Sequence, residues 1–168
     1  MHFHARLKWS PILAFLAVVC AAVAAAETHA AEFKAGAITV EQPWSRATPG
    51  GAQVGSGYLT IKNSGDSPDR LVSASTEVAA HTEIHEMSMA GGIMKMRELT
   101  EGVPVPGQGS VTLEPGAIHL MLLDLKRPLK EGESFAGTLN FERAGTVNVT
   151  FEVKGIGAAA PMPGDHHQ

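Results

Sequence analysis

Thr146-Val-Asn-Val-Thr-Phe-Glu-Val-Lys154 alternates without exception. Val147, Val149, Phe151 and Val153 fall on one face, and Asn148, Thr150, Glu152 and Lys154 on the other, the period of two that marks a strand with one buried side. The same pattern recurs upstream. Ser134–Phe141 sets Phe135, Leu139 and Phe141 on one side, and the Glu142-Arg-Ala-Gly145 link between the two runs reads as a hairpin turn. Gly57–Asn63 points Leu59 and Ile61 inward, and Val111-Thr-Leu113 precedes a Pro115-Gly116 turn. Ile118–Leu123 is apolar on both faces, as a central strand is. Glycine and proline punctuate the chain about every ten residues, and helical signals are weak throughout. Together these features predict one all-β domain, an antiparallel β-sandwich or barrel.

The ends read differently. Met1–Ser10 carries Arg6 and Lys8 and no acid, and Pro11–Ala26 is a nearly unbroken apolar run ending in three alanines. A basic start, an apolar stretch and small residues at its end describe a secretory signal peptide over 1–26, with cleavage expected after Ala26 and, as second choice, after Ala31. The run is short for a membrane span, so no stable membrane insertion is expected after cleavage. Cys20 is the only cysteine and lies in that leader; Val19 before it is not the small residue that lipidation requires. The exported chain then has no disulfide, no thiolate ligand and no cysteine nucleophile. Residues 27–35 are expected to be loose, 36–154 to form the domain, and 155–168, without periodicity and little to bury, to be a disordered tail. Removing the leader takes the net charge from −4 to −6. An acidic domain with no glycine-rich phosphate loop and no basic patch is not built for nucleic acid. No nucleophile–base pair, carboxylate dyad or cofactor motif points to an enzyme.

Chemistry concentrates in one region. His85-Glu-Met87-Ser-Met89, Met94-Lys-Met96 and His119-Leu-Met121 hold five of the six methionines that follow Ala26. Gly91-Gly92 is a two-residue hairpin signal. A turn centred there pairs Met87 with Met96 and Met89 with Met94, and puts all four thioethers on one face together with His85. His119 and Met121, spaced by two, share a face of their own strand. If that strand lies beside the hairpin, His85, Met96, His119 and Met121 converge, and Met87, Met89 and Met94 are left to exchange as ligands or to shield the site. Imidazole with thioether and no thiolate suits Cu(I). Zinc favours thiolate, imidazole and carboxylate, calcium and magnesium favour oxygen clusters, and a blue-copper centre needs a cysteine. The competing reading is that methionine fills gaps in the core; it predicts buried methionines. Trp44 is expected to pack in the core, Arg46 to pair with a carboxylate or backbone carbonyls, and His81 to lie at the surface.

The spacing His85-x10-Met96, followed by His119-x-Met121, resembles the signature of the periplasmic copper chaperones called PCuAC. Gln42-Pro-Trp44-Ser-Arg46-Ala-Thr48, Gly57-Tyr-Leu-Thr-Ile-Lys-Asn63, Asp69-Arg-Leu71, Pro115-Gly-Ala-Ile-His119-Leu-Met121-Leu-Leu and Leu129-Lys-Glu-Gly132 are similar to the same family, so the resemblance spans about residues 36–154. The 22 residues between Met96 and His119 are one more than the family pattern has, and the glycine- and proline-rich Glu101–Ser110 loop is where an insertion fits. The resemblance implies a cupredoxin-like (Ig-like) sandwich that binds Cu(I) through His85, Met96, His119 and Met121. It implies a periplasmic metallochaperone that hands copper to the dinuclear copper centre of cytochrome c oxidase, alongside a Sco-type protein. The alternatives are a copper buffer without a dedicated recipient and a non-metal assembly domain. In the tail, Met162, His166 and His167 form a candidate Cu(II) site, since imidazole favours that ion.

Overall fold

Eleven strands and no helix account for the described residues, 31–159, of the computed structural model. They are β1 (Glu32–Ala35), β2 (Ile38–Arg46), β3 (Val54–Asn63), β4 (Asp69–Thr76), β5 (Ala79–Ala90), β6 (Ile93–Glu98), β7 (Val103–Val105), β8 (Gly109–Leu113), β9 (Ile118–Leu125), β10 (Ser134–Phe141) and β11 (Gly145–Lys154). The expected leader with Cys20, and Met162, His166 and His167, lie outside the described residues.

The strands form one hydrogen-bonded path, β6-β5-β9-β3-β2-β11-β10-β4-β7, with β1 added to β2 and β8 to β3. Residues from both halves of the path meet in one core. Leu120 and Leu122 of β9 and Leu59 and Ile61 of β3 join Phe135 and Leu139 of β10 and Val147, Val149, Phe151 and Val153 of β11. The alternating run that predicts β11 is realised in full, with all four of its apolar residues buried. Phe151 is completely enclosed and stacks on Phe135, with ring centroids 5.1 Å apart. Gly137, beside it on β10, leaves room for the ring; a Cβ there would come within 2.6 Å of Phe151. β9 runs between β5 and β3, as a strand apolar on both faces should.

Three features depart from the sequence reading. The sheet is not purely antiparallel, because β11 pairs with β2 in parallel through Glu152–Trp44, Val153–Ser45 and Lys154–Arg46. Order begins before residue 36: Glu32–Ala35 pairs with Ile38–Glu41 across a tight turn at Gly36, whose φ is +57°. Within the Glu101–Ser110 loop, Val103–Val105 is a strand on β4 with both valines buried.

Asp69, at the start of β4, closes the β10–β11 turn. One carboxylate oxygen accepts the backbone N–H groups of Arg70 (2.7 Å) and Arg143 (2.9 Å), and the other that of Ala144 (2.9 Å). Burial acts to raise the pKa of Asp69. The three N–H groups and the Arg143 charge outweigh it and hold the group below the ordinary carboxyl value. A depressed folded-state pKa gives stability that is present above the unfolded-state value of about 4 and lost as pH falls through the folded-state value. Asp69→Asn should therefore cost about 1–3 kcal/mol at pH 7. The gap to wild type should close on acidification below about pH 4, as followed by urea denaturation at several pH values. A gap that does not depend on pH contradicts the account.

Candidate metal centre

The hairpin takes the register that Gly91-Gly92 predicts. Met87 faces Met96 and Met89 faces Met94 across β5 and β6, while His85 faces Glu98. Both glycines have positive φ, 60° and 77°, the conformation such a turn requires and L-residues resist. One face of the hairpin therefore carries His85, Met87, Met89, Met94, Met96 and Glu98. The other carries Ser88, Lys95 and a Glu86–Arg97 ion pair at 2.7 Å.

β9 lies on the other side of β5, and its register sets His119 directly opposite His85 and Met121 opposite Glu83. The two imidazole centroids are 6.3 Å apart. His119 is 6% exposed, and its Nδ1 lies 3.1 Å from the Ala117 carbonyl oxygen. A carbonyl only accepts, so Nδ1 carries the hydrogen and Nε2 keeps its lone pair. His85 has the opposite arrangement. Its Nε2 donates to Glu83 Oε2 at 2.8 Å, which leaves the lone pair on Nδ1. That Nδ1 is the one buried side-chain nitrogen or oxygen among the described residues without a hydrogen-bond partner. An orphaned buried acceptor is costly, and a bound cation would satisfy it.

The row of rings continues away from the hairpin. Tyr58 on β3 is 6.5 Å from His119, and Trp44 on β2 is 4.4 Å from Tyr58. Trp44 reaches this row through a bulge between Glu41 and Trp44, where Gln42 takes a φ of +48°. Lys154 lies over Trp44 at 5.4 Å and Arg46 over Tyr58 at 5.8 Å, while Arg46 Nε donates to the Ala158 carbonyl at 2.8 Å. Trp44 is thus buried, as expected, but in this outer ring stack and not in the central core. His81 is exposed.

His85, His119 and Met121 adjoin on one face. Met96 shares the face but lies on the far diagonal of His85. Two strands and four residues separate it from Met121, about 16 Å between Cα atoms for an extended sheet. The methionines are not core. Met89, Met94 and Met96 are 68%, 55% and 51% exposed, Met87 and Met121 are half-buried, and no methionine occurs among the buried hydrophobic residues. Packing therefore does not explain them. Among the described residues, no three histidine, cysteine or acidic side chains converge, so thioether has to complete any metal set here. Glu83 escaped the sequence reading. The available signal was its spacing: two residues before His85 in a strand, it has to share the histidine's face.

Comparison with known proteins identifies the family of the domain. Residues 38–153 match the model of the LpqE-like lipoprotein family. The lipoprotein Lxx21020 of Leifsonia xyli subsp. xyli is 29% identical over 126 residues, 75% of each chain. RP573 of Rickettsia prowazekii is 30% identical over 109 residues, 63% of this chain and 60% of that protein. Among solved structures, the copper-bound PCuAC domain of PmoF2 is 28% identical with a TM-score of 0.63, over 74% of this chain and 98% of that domain. The apo PCuAC domain of PmoF1 is 33% identical, also with a TM-score of 0.63, over 74% and 99%. The Cu(I) form of DR1885 from Deinococcus radiodurans is 30% identical with a TM-score of 0.57, over 77% and 83%. By its matched residues and its fold, the chain belongs to the LpqE-like family and shares the architecture of the PCuAC domains.

Proposed function

We propose that this protein is an exported Cu(I) carrier that binds the ion through His85, His119, Met121 and Met96 and releases it by ligand exchange. The observation that carries the reading is the facing pair of imidazoles, each with one nitrogen tied by a hydrogen bond and the other left free. The copper-bound PCuAC domain of PmoF2 and Cu(I)-DR1885 support the choice of ion. Imidazole nitrogen and thioether sulfur suit a soft monovalent cation, and a thioether has no proton to lose on binding. Met96 joins through a curl of the hairpin: β6 is exposed along its whole length and pairs on one side only, so bending it costs few contacts. An exposed ligand on a free edge is also where a recipient's ligand can begin to displace the ion.

A cleaved 1–26 leader would send the carrier to the periplasm, and the dinuclear copper centre of cytochrome c oxidase, reached directly or with a Sco-type protein, is the proposed destination. The decisive experiment is an anaerobic titration of the processed protein with Cu(I) against a chromophoric chelator. The reading requires one ion held tightly at the histidine site, and no uptake from the competitor ends it. Deleting the gene in copper-poor medium separates delivery from buffering, because only delivery predicts lost oxidase activity. For the tail, removal of residues 156–168 should lower Cu(II) stoichiometry if Met162, His166 and His167 hold a second oxidation state of the metal.

Glu83 holds the His85 ring by its Nε2–H, so it is a positioning residue for Nδ1. Glu83→Ala should weaken Cu(I) binding by about 10-fold, within the range for groups that orient metal-bound histidines, while Glu83→Gln, which keeps an acceptor, should recover most of it. Equal affinities for wild type and Glu83→Ala in the same titration would dismiss the role.

A further inference from the structure

The tip of the hairpin calls for its own explanation. Its exposed face carries methionine at each of positions 87, 89, 94 and 96, with no leucine, valine, isoleucine or phenylalanine among them. Elsewhere the domain uses those four residue types for packing and no methionine in the buried core. Apolar side chains that lie outside the core, three of them exposed and Met87 half-buried, and that are all sulfur-bearing are selected for sulfur, since any aliphatic residue would serve the sheet as well. A contiguous exposed apolar patch of this kind marks a binding surface.

The register makes the patch compact. Met89 and Met94 are a direct cross-strand pair, with Cβ atoms about 5 Å apart. Met87 lies two residues along β5 from Met89, about 7 Å away, and diagonal to Met94 at about 7–8 Å. Flexible thioether arms from the three corners of such a triangle can surround one ion. The same triangle is remote from the imidazoles. Met89 is four residues along β5 from His85, about 13 Å, too far for one ion to be held by both.

We infer that Met87, Met89 and Met94 form a second, thioether-only site for a soft monovalent cation at the hairpin tip, separate from the histidine site and linked to it by Met96. Met96 faces Met87 directly, lies two residues along β6 from Met94 and stands diagonal to both Met89 and His85, so its sulfur can serve either site in turn. The tip then acts as the first landing place for incoming Cu(I). The ion passes along the thioether ladder to the imidazoles without a change in oxidation state, each sulfur–metal bond being replaced by the next. The inference rests on the carrier reading for the role of the tip but not for its existence.

The two readings come apart in one experiment. The processed protein is titrated anaerobically with Ag(I), a redox-inert soft cation, and with Cu(I). Bound ions are counted by native mass spectrometry, and the methionine methyl groups are followed by NMR. Wild type should bind two ions, with the Met89 and Met94 methyl signals moving only on the second equivalent. The M89L/M94L variant, which alters exposed positions and keeps their bulk, should bind one. A wild type that binds a single ion without moving the Met89 and Met94 methyl signals, or an M89L/M94L variant that still binds two, overturns the tip site and leaves the histidine site standing. A single ion that moves those signals from the first equivalent defeats the carrier reading instead.

Discussion

His119→Ala should lower the affinity for Cu(I) by at least about 100-fold, beyond the losses expected from groups that only orient a ligand. The side chain is 6% exposed and its ring is fixed by the bond to Ala117 before any metal arrives. A pre-oriented, dehydrated nitrogen binds without paying to order itself, so its removal takes away more than one bond from the set. What remains is His85, whose free Nδ1 then faces an empty position, and thioethers on mobile stems. Competition titration against a Cu(I) chelator measures the loss, with His81→Ala as the exposed control that should leave affinity unchanged. An affinity within about threefold of wild type for His119→Ala contradicts the assignment. A thermal melt of the apo variant separates ligand loss from unfolding.

The largest stability effect is expected at Phe151. Its ring is fully enclosed, stacks nearly parallel to Phe135, with 10° between the planes, and occupies space that Gly137 leaves open. Truncation to alanine removes the transfer energy of the ring and leaves a cavity with rigid walls, because strands on both sides hold β11 in register. Phe151→Ala should cost about 3–5 kcal/mol. For a domain of this size that is a fall in melting temperature on the order of 10 °C. Scanning calorimetry of the apo protein reads it, and a cost below about 1 kcal/mol would show that the core closes over the gap.

How far these features were legible depended on the range of the interaction behind each. β10, β11 and the turn between them came from alternation over adjacent residues, and the buried faces of Phe135, Leu139 and Val147 follow from it. The hairpin register came from two glycines, because a two-residue turn leaves only one pairing for Met87 and Met89. The parallel contact of β11 with β2 was not legible, since alternation says which side of a strand is buried but not which neighbour lies alongside or in which direction. Val103–Val105 was hidden by Pro104 and the glycines around it, and its burial comes from β4 far upstream. The bulge at Gln42 left no clear signature, yet it turns Trp44 into the ring stack. At the metal centre, composition suggested the ion, but the facing of His85 and His119 needed the β5–β9 register, which joins strands almost thirty residues apart in topology rather than in pattern.

The ring stack gives the protein a natural optical gauge. Trp44 is the only tryptophan among the described residues, and a single tyrosine separates it from His119. A cation seated between the imidazoles adds positive charge at one end of a stack that already lies under Arg46 at Tyr58 and under Lys154 at its other end, Trp44. If the centre takes up the ion, the emission of that one indole should therefore change with its occupancy from inside the fold, with no label and no chromophoric competitor.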